Sequence, residues 1–175
     1  MSIYFRAFKV DDYELIHKWR TNPEVNKYLA GNMFLFSLER EKEFVLNVIL
    51  NDSKNIYFGI CDSKTDKLIG FSSINHIDLR NLKAEWGGTL IGEKKYLGKG
   101  IGKTASAMML RFLFDHYPIN KVYAYCLEEH PATSKLFSSL GFKKDGLLRE
   151  EVFKNGEFKN VLLFSILRQE INGYF

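Results

Sequence analysis

The sequence predicts an α+β fold, a mixed and mostly antiparallel sheet of about seven strands with helices on both faces. Three observations carry it. Strand-like runs at Asn55 to Cys61 and Lys67 to Ile77 flank the turn-rich Asp62-Ser63-Lys64-Thr65-Asp66, as a hairpin does. A glycine-rich turn then opens a helix that leads to Lys121 to Leu127, a nearly continuous apolar run typical of a strand buried on both faces, so strand, helix and strand form a parallel crossover. Near the carboxyl end, Phe142 to Phe153 and Phe158 to Leu167 are joined at Asn155-Gly156, a strong two-residue hairpin signal.

The remaining elements fit around these. Ile3 to Phe8 reads as a short first strand, and Asp11 to Thr21 as an amphipathic helix with Leu15, Ile16 and Trp19 on one side. Pro23 opens a short helical segment to Leu29, and Ser37 caps a helix to about Leu50, with Phe44, Val45, Val48 and Ile49 at helical spacing. Ala84 to Ile91 adds a strand before the glycine-rich turn. The helix after that turn runs to about Tyr117 and is apolar on two sides, hence packed on both. Pro131 to Leu140 is a second helix, stopped by Gly141.

Composition narrows the function. A chain of 175 residues, 46% hydrophobic and 15% aromatic, fits one domain over 1–175. The net charge of +4 is spread among acidic residues, which argues against a nucleic-acid binder and suits a small anionic ligand. Cys61 and Cys126 lie in apolar runs without metal spacing, and the His, Asp and Glu residues show none either, so no metal is expected. The amino terminus turns polar too early for a secretory signal and no apolar run reaches membrane-span length; the expectation is a cytoplasmic protein without a membrane partner.

The chemistry concentrates at residues 90–103. Gly98-Lys99-Gly100-Ile101-Gly102-Lys103 at a helix start lets successive backbone N–H groups converge on one anion, with the helix dipole adding positive potential, and pyrophosphate is the natural guest. A tight turn without ligand is the plainer alternative. The nucleotide-triphosphate loop needs a glycine at position 97, where Leu97 stands, and the dinucleotide fingerprint fails because the third glycine follows the second by two residues and not three.

This loop resembles the coenzyme A pyrophosphate loop of the GNAT N-acetyltransferase superfamily. His130 to Phe142, ending in Leu140-Gly141-Phe142, is similar to that superfamily's following helix. Gly146-Leu147-Leu148-Arg149-Glu150 with Asn155-Gly156-Glu157 resembles the hairpin of its ribosomal-protein and amino-sugar branches. The resemblance implies a sheet whose parallel strands, Ala84 to Ile91 and Lys121 to Leu127, splay apart to take the pantetheine arm of acetyl-CoA like an added strand. Leu90, Ile91 and Gly92 would offer it backbone groups, and an N–H near Leu90 or Ile91 would face the thioester oxygen. It implies direct attack by a small-molecule amine on the thioester, with acetyl-CoA as the only donor.

Departures from the pattern are informative. Leu97 replaces a usual Arg or Gln; His130 replaces an Asn that contacts pantetheine; Phe137 stands where many members have the Tyr that protonates the departing thiolate. A thiol with a pKa of roughly 8.5 leaves near neutrality with little help, so the loss need not stop turnover. Even so, an acyl-CoA-binding sensor without turnover stays open beside the enzyme. Glu85 is the expected base for the amine, unless it is merely an exposed strand residue, with His76 and Asp78 in reserve.

For the acceptor, Trp19-Arg20-Thr21-Asn22-Pro23-Glu24-Val25 and Ile77-Asp78-Leu79-Arg80-Asn81 resemble enzymes that acetylate the 4-amino group of nucleotide-linked amino sugars. Arg20 and Arg80 would then meet a nucleotide diphosphate, and Trp19, Trp86 or Tyr28 would stack on a base or sugar, although Trp19 equally fits a core. The amino group of a ribosomal or other protein's N-terminus is the rival acceptor.

Overall fold

In the computed structural model, which describes residues 2–26, 36–51 and 54–171, the β-branched and aromatic runs become strands β1 (Ile3–Arg6), β2 (Ile56–Asp62), β3 (Leu68–Asp78), β4 (Lys83–Ile91), β5 (Lys121–Leu127), β6 (Lys143–Lys154) and β7 (Glu157–Leu167). They form one sheet in the order β1-β2-β3-β4-β5-β7-β6. Every neighbouring pair is antiparallel except β4 with β5. The helices are α1 (Tyr13–Arg20), α2 (Pro23–Asn26), α3 (Leu38–Phe44), α4 (Ile101–His116) and α5 (Pro131–Ser139). The α+β fold with helices on both faces is therefore as the sequence indicates.

Two faces of the sheet are covered by different chemistry. Met109, Leu110, Leu113 and Phe114 of α4 and Phe137 of α5 bury one face against Ile74, Ala84, Trp86, Val122 and Ala124. Nearer the start of α4, Ile101 and Ala105 pack on Ile60 and Ile69. On the opposite face Trp19 of α1 covers Cys61, Leu68 and Leu90, and Ile16 joins Phe8 and Val45. Each fully buried Leu, Phe or Met side chain is worth about 1.5–3 kcal/mol, so the α4 face alone fixes where that helix begins. Both cysteines are buried and free.

Local chemistry accounts for the departures from the sequence reading. The first strand stops at Arg6, not Phe8, because Arg6 forks onto Asp12 with two contacts of 2.7 Å, and Asp12 also accepts from the Lys9 N–H at 2.7 Å. That clamp makes the first turn of the expected helix a 3₁₀ turn, Val10–Asp12. Ser37 does cap α3, accepting from the Arg40 N–H at 3.2 Å, but the helix passes into a π-helical turn at Val45–Leu50. The expected extension of α2 to Leu29 falls partly outside the described residues. At the carboxyl hairpin Asn155 and Gly156 have φ of 52° and 85°, the left-handed pair that a two-residue turn requires.

Candidate active site

The glycine-rich turn begins from a firm anchor. Tyr96, 3% exposed, donates its hydroxyl to Asp62 at the end of β2 at 2.8 Å, and the chain then swings out through exposed Leu97. Gly98 and Gly100 take φ of 72° and 76°, and a Cβ built on Gly98, Gly100 or Gly102 would meet no other atom within 4 Å. Internal crowding therefore does not demand these glycines; backbone conformation demands two of them, and open space lies above all three. The first backbone bond of α4 is Thr104 N–H to the Gly100 carbonyl at 3.1 Å, which leaves the Ile101, Gly102 and Lys103 amides at the positive end of the helix dipole without a helical acceptor. Lys99 and Lys103 are exposed beside them. The geometry suits a pyrophosphate.

From this turn a chain of hydroxyls runs into the sheet. Ser106 of α4 donates to the Gly102 carbonyl at 2.7 Å, and its Oγ lies 3.0 Å from the Thr89 hydroxyl of β4; Thr89 meets Ser72 of β3 at 2.9 Å, and Ser72 reaches the Gly88 carbonyl at 3.1 Å. This thread fixes the turn to the stretch of β4 where the strand is irregular. Register shifts between Ser73 and Ile74, so that Ile74 faces Trp86 while Ser73 faces Gly88, and Gly87 is the extra residue of a bulge. The parallel pairing of β4 with β5 runs Lys83↔Lys121, Ala84↔Val122, Glu85↔Tyr123 and ends there. Past Glu85 the two strands share no ladder, and the opening between them leads towards the glycine-rich turn. Leu90 and Ile91 lie on this unpaired stretch, although their side chains are committed to the packing on either face. The Gly92 amide donates to the Ile69 carbonyl at 2.9 Å and is not free, and a Cβ at Gly92 would sit 2.1 Å from the Trp19 ring. This glycine serves helix–sheet packing.

At the closed end of the opening stands Glu85, its side chain 22% exposed and 2.9 Å from His76 Nδ1. Because directly opposed residues share a face, Glu85 has Asn75 on one side and Tyr123 on the other. Tyr125 lies two residues on, its ring 5.7 Å from that of Tyr123. The Tyr123 hydroxyl is pushed above its ordinary pKa by burial, then by the charges of Glu85 and Asp78 and by Tyr125; that of Tyr125 by burial, Glu85 and Glu151. This face thus sets one carboxylate, Glu85, beside two tyrosine rings. The Asn75 Oδ1 is buried there without a hydrogen-bond partner among the described residues. Asp78 accepts from the Asn81 side chain at 2.7 Å and from the Asn81 and Arg80 amides at 2.9 and 3.0 Å, which in that order hold its pKa down; it serves the β3–β4 turn.

Several expected acceptor residues lie elsewhere. Trp19 is 1% exposed and donates to Glu93 at 3.3 Å, and Trp86 is 3% exposed among Phe137 and Phe142, so neither offers a ring face to a base or sugar. Arg20 is held by Glu41 at 2.8 Å and lies over the rings of Phe36 and Phe44, beside a cavity of about 360 Å³, while Arg80 sits exposed in the β3–β4 turn. Tyr28 lies outside the described residues. Phe137 is 4% exposed and packed on Trp86, Phe142 and Phe164. His130 precedes α5, shares a hydrogen bond with Thr133, and has its pKa lowered by burial and then by Lys154. Among the described residues no His/Cys/Asp/Glu group could hold a metal ion and no helix is long and apolar enough to cross a membrane.

With this geometry in hand, comparison with known proteins is informative. A family model described as an acetyltransferase (GNAT) domain matches residues 2–143. The uncharacterized N-acetyltransferase p20 of Bacillus licheniformis is 30% identical over 96% of this chain and 94% of its own. Spermidine N(1)-acetyltransferase of Escherichia coli is 24% identical over 97% of this chain and 88% of its own. The crystal structure of spermidine N-acetyltransferase from Vibrio cholerae in complex with CoA and spermine superposes with a TM-score of 0.88, at 25% identity over 97% of each chain. These relatives overturn the expected affinity with the nucleotide-amino-sugar and ribosomal-protein branches. The structure gives a physical reason: Trp19 and Trp86, expected to stack on a base or sugar, are buried in the core, and Arg20 is held by Glu41.

Proposed function

The chain belongs to the GNAT acetyltransferase family, an acetyl-CoA-dependent N-acetyltransferase that acts on a primary amine, and from that premise we propose that its acceptor is a polyamine. The observation that carries the reading is the face around Glu85, where the carboxylate stands beside Tyr123 at the end of the parallel ladder and the Tyr125 ring lies 5.7 Å from that of Tyr123. A polyamine is a flexible chain of cations. One nitrogen reacts while the others gain from carboxylates and ring faces, an arrangement of little use to an anionic acceptor. The names of the relatives from Escherichia coli and Vibrio cholerae support the same substrate class.

In the proposed reaction the amides of Ile101 to Lys103 and the ammonium groups of Lys99 and Lys103 hold the pyrophosphate of acetyl-CoA, and the arm enters the opening beyond Glu85↔Tyr123. A primary ammonium has a pKa of about 10.4, so only about one amine in a thousand is neutral near pH 7. Glu85 takes the proton, and His76, 2.9 Å away and 72% exposed, passes it to water. The neutral nitrogen attacks the acetyl carbon, the N–C bond forms, the nitrogen sheds its second proton to Glu85, which His76 has emptied, and the C–S bond breaks with its electron pair on sulfur. Asn75 Oδ1, buried on this face without a partner, is suited to accept from the attacking amine.

A coupled assay of thiol release tests the substrate. Spermidine and spermine should turn over at least tenfold more efficiently than a monoamine of equal chain length, because a second buried or half-buried ion pair contributes on the order of 1–2 kcal/mol. Equal efficiency for the monoamine would remove the polyamine reading.

A further inference from the structure

Phe137 has no hydroxyl to offer a departing sulfur, yet Trp86, on β4 where that strand parts from β5, carries a buried hydrogen-bond donor without a partner among the described residues. Trp86 is the first residue of β4 beyond the last parallel pair, Glu85↔Tyr123. Side chains alternate along the strand, so Glu85 and Trp86 stand on opposite faces: Glu85 beside Tyr123 and Asn75, Trp86 beside Ile74 in the core beneath α4 and α5. The Trp86 ring is 3% exposed, 5.3 Å from the Phe137 ring and 5.7 Å from that of Phe142. Its Nε1–H is buried with no hydrogen-bond partner among the described residues. A buried donor without an acceptor costs stability, and its apolar neighbours cannot relieve that cost.

We propose that the Trp86 indole N–H is a catalytic donor to the sulfur of coenzyme A, taking the place of the hydroxyl that Phe137 lacks. The inference rests on the reading that the thioester enters the opening beyond Glu85. Base and donor then bracket the reacting carbon from two faces of the sheet. The amine proton leaves to Glu85; the C–S electron pair collects on sulfur; the indole N–H hydrogen-bonds to that thiolate and keeps its own proton, because an indole is far too weak an acid to surrender it. The thiolate departs as such or takes a proton from solvent. In surroundings as apolar as Phe137 and Phe142 provide, one donor to a developing anion has more effect than it would in water.

Trp19 and Trp86 are the two tryptophans, so the indole N–H region of a proton–nitrogen correlation spectrum holds two side-chain signals. Coenzyme A titrated at pH 9, above its thiol pKa of roughly 8.5, should move the Trp86 signal downfield. Its desulfo analogue, which ends in C–H, should bind and leave that signal nearly unmoved. Trp86→Phe, which keeps a ring but loses the N–H, should lower kcat about 10- to 100-fold with a much smaller change in the KM for acetyl-CoA. It should also abolish the preference for coenzyme A over the desulfo analogue that grows as pH rises through 8.5. Equal movement of the Trp86 signal with both ligands would overturn the proposal while leaving the acetyl-transfer reading intact. Amide signals of Leu90 and Ile91 that ignore both ligands would bring down that reading and this proposal with it. Because the spectrum is recorded on the wild-type protein, the test stands even where the substituted ring packs poorly.

Discussion

Glu85 is half of an exposed pair, 2.9 Å from His76, and it stands where the parallel ladder ends. Glu85→Gln should lower kcat/KM by about 10²–10⁴-fold at neutral pH and recover part of that loss by pH 10, where the amine loses its proton unaided. A profile with the same shape as that of the wild type would remove Glu85 from the chemistry. A second carboxylate matters to stability. Burial alone would raise Asp12, but the Arg6 guanidinium and the Lys9 amide hold it below the ordinary value. Its stabilisation is therefore fully present above the unfolded pKa of about 3.9 and is lost as pH falls through the lower folded value. Asp12→Asn should cost about 1–3 kcal/mol near pH 7, and its urea midpoint should begin to approach that of the wild type only as pH falls below about 4 and towards the folded value. At this scale the sequence singled out Glu85 as a candidate from its setting in a strand, but not its neighbours Asn75, Tyr123 and Tyr125, which cross-strand register brings beside it. Trp19 and Trp86 were open to misreading for a related reason: an aromatic ring looks alike in sequence whether it faces a ligand or a core, and here both are buried.

Among the elements, the glycine-rich turn is the one whose backbone conformation could be read directly, since φ of 72° and 76° at Gly98 and Gly100 is what alternating glycines announce. Gly100→Asp should abolish the rise in Tm that acetyl-CoA produces in the wild type, because a carboxylate would project into the space above the loop. Aspartate tolerates a left-handed conformation better than most residues, so the ligand-free Tm should fall by only a few degrees, about 1 kcal/mol. Differential scanning fluorimetry with and without ligand separates the two effects, and an undiminished shift in the variant would mean that the pyrophosphate lies elsewhere. Gly92 shows the other side of the lesson: it belongs to the same stretch of sequence, yet it is glycine because the Trp19 ring rests on it. The bulge at Gly87 and the Ser106–Thr89–Ser72 thread were invisible beforehand, since both depend on which residues of β3 meet β4.

At the scale of the whole molecule, the mixed sheet, its hairpins and its parallel crossover followed from hydrophobic period and turn chemistry, whereas the order of the strands and the branch of the family did not. The sheet has a further property. Its antiparallel blocks, β1-β2-β3-β4 and β5-β7-β6, are stitched through a run of three residue pairs, Lys83↔Lys121 to Glu85↔Tyr123. Between the blocks the backbone ladder is a short seam, reinforced by the side chains of α4 and α5. Acetyl-CoA lying along the open part of that seam would supply hydrogen bonds that the protein does not make with itself. Amide exchange at Leu90, Ile91 and Tyr125 should slow by about tenfold or more when the donor binds, and the outer pairs of β2 with β3 should hardly change. Uniform protection across the sheet would contradict this. The donor is then a temporary part of the fold as well as a reactant, and each turnover, by changing what lies in the seam, loosens and refastens the middle of the protein.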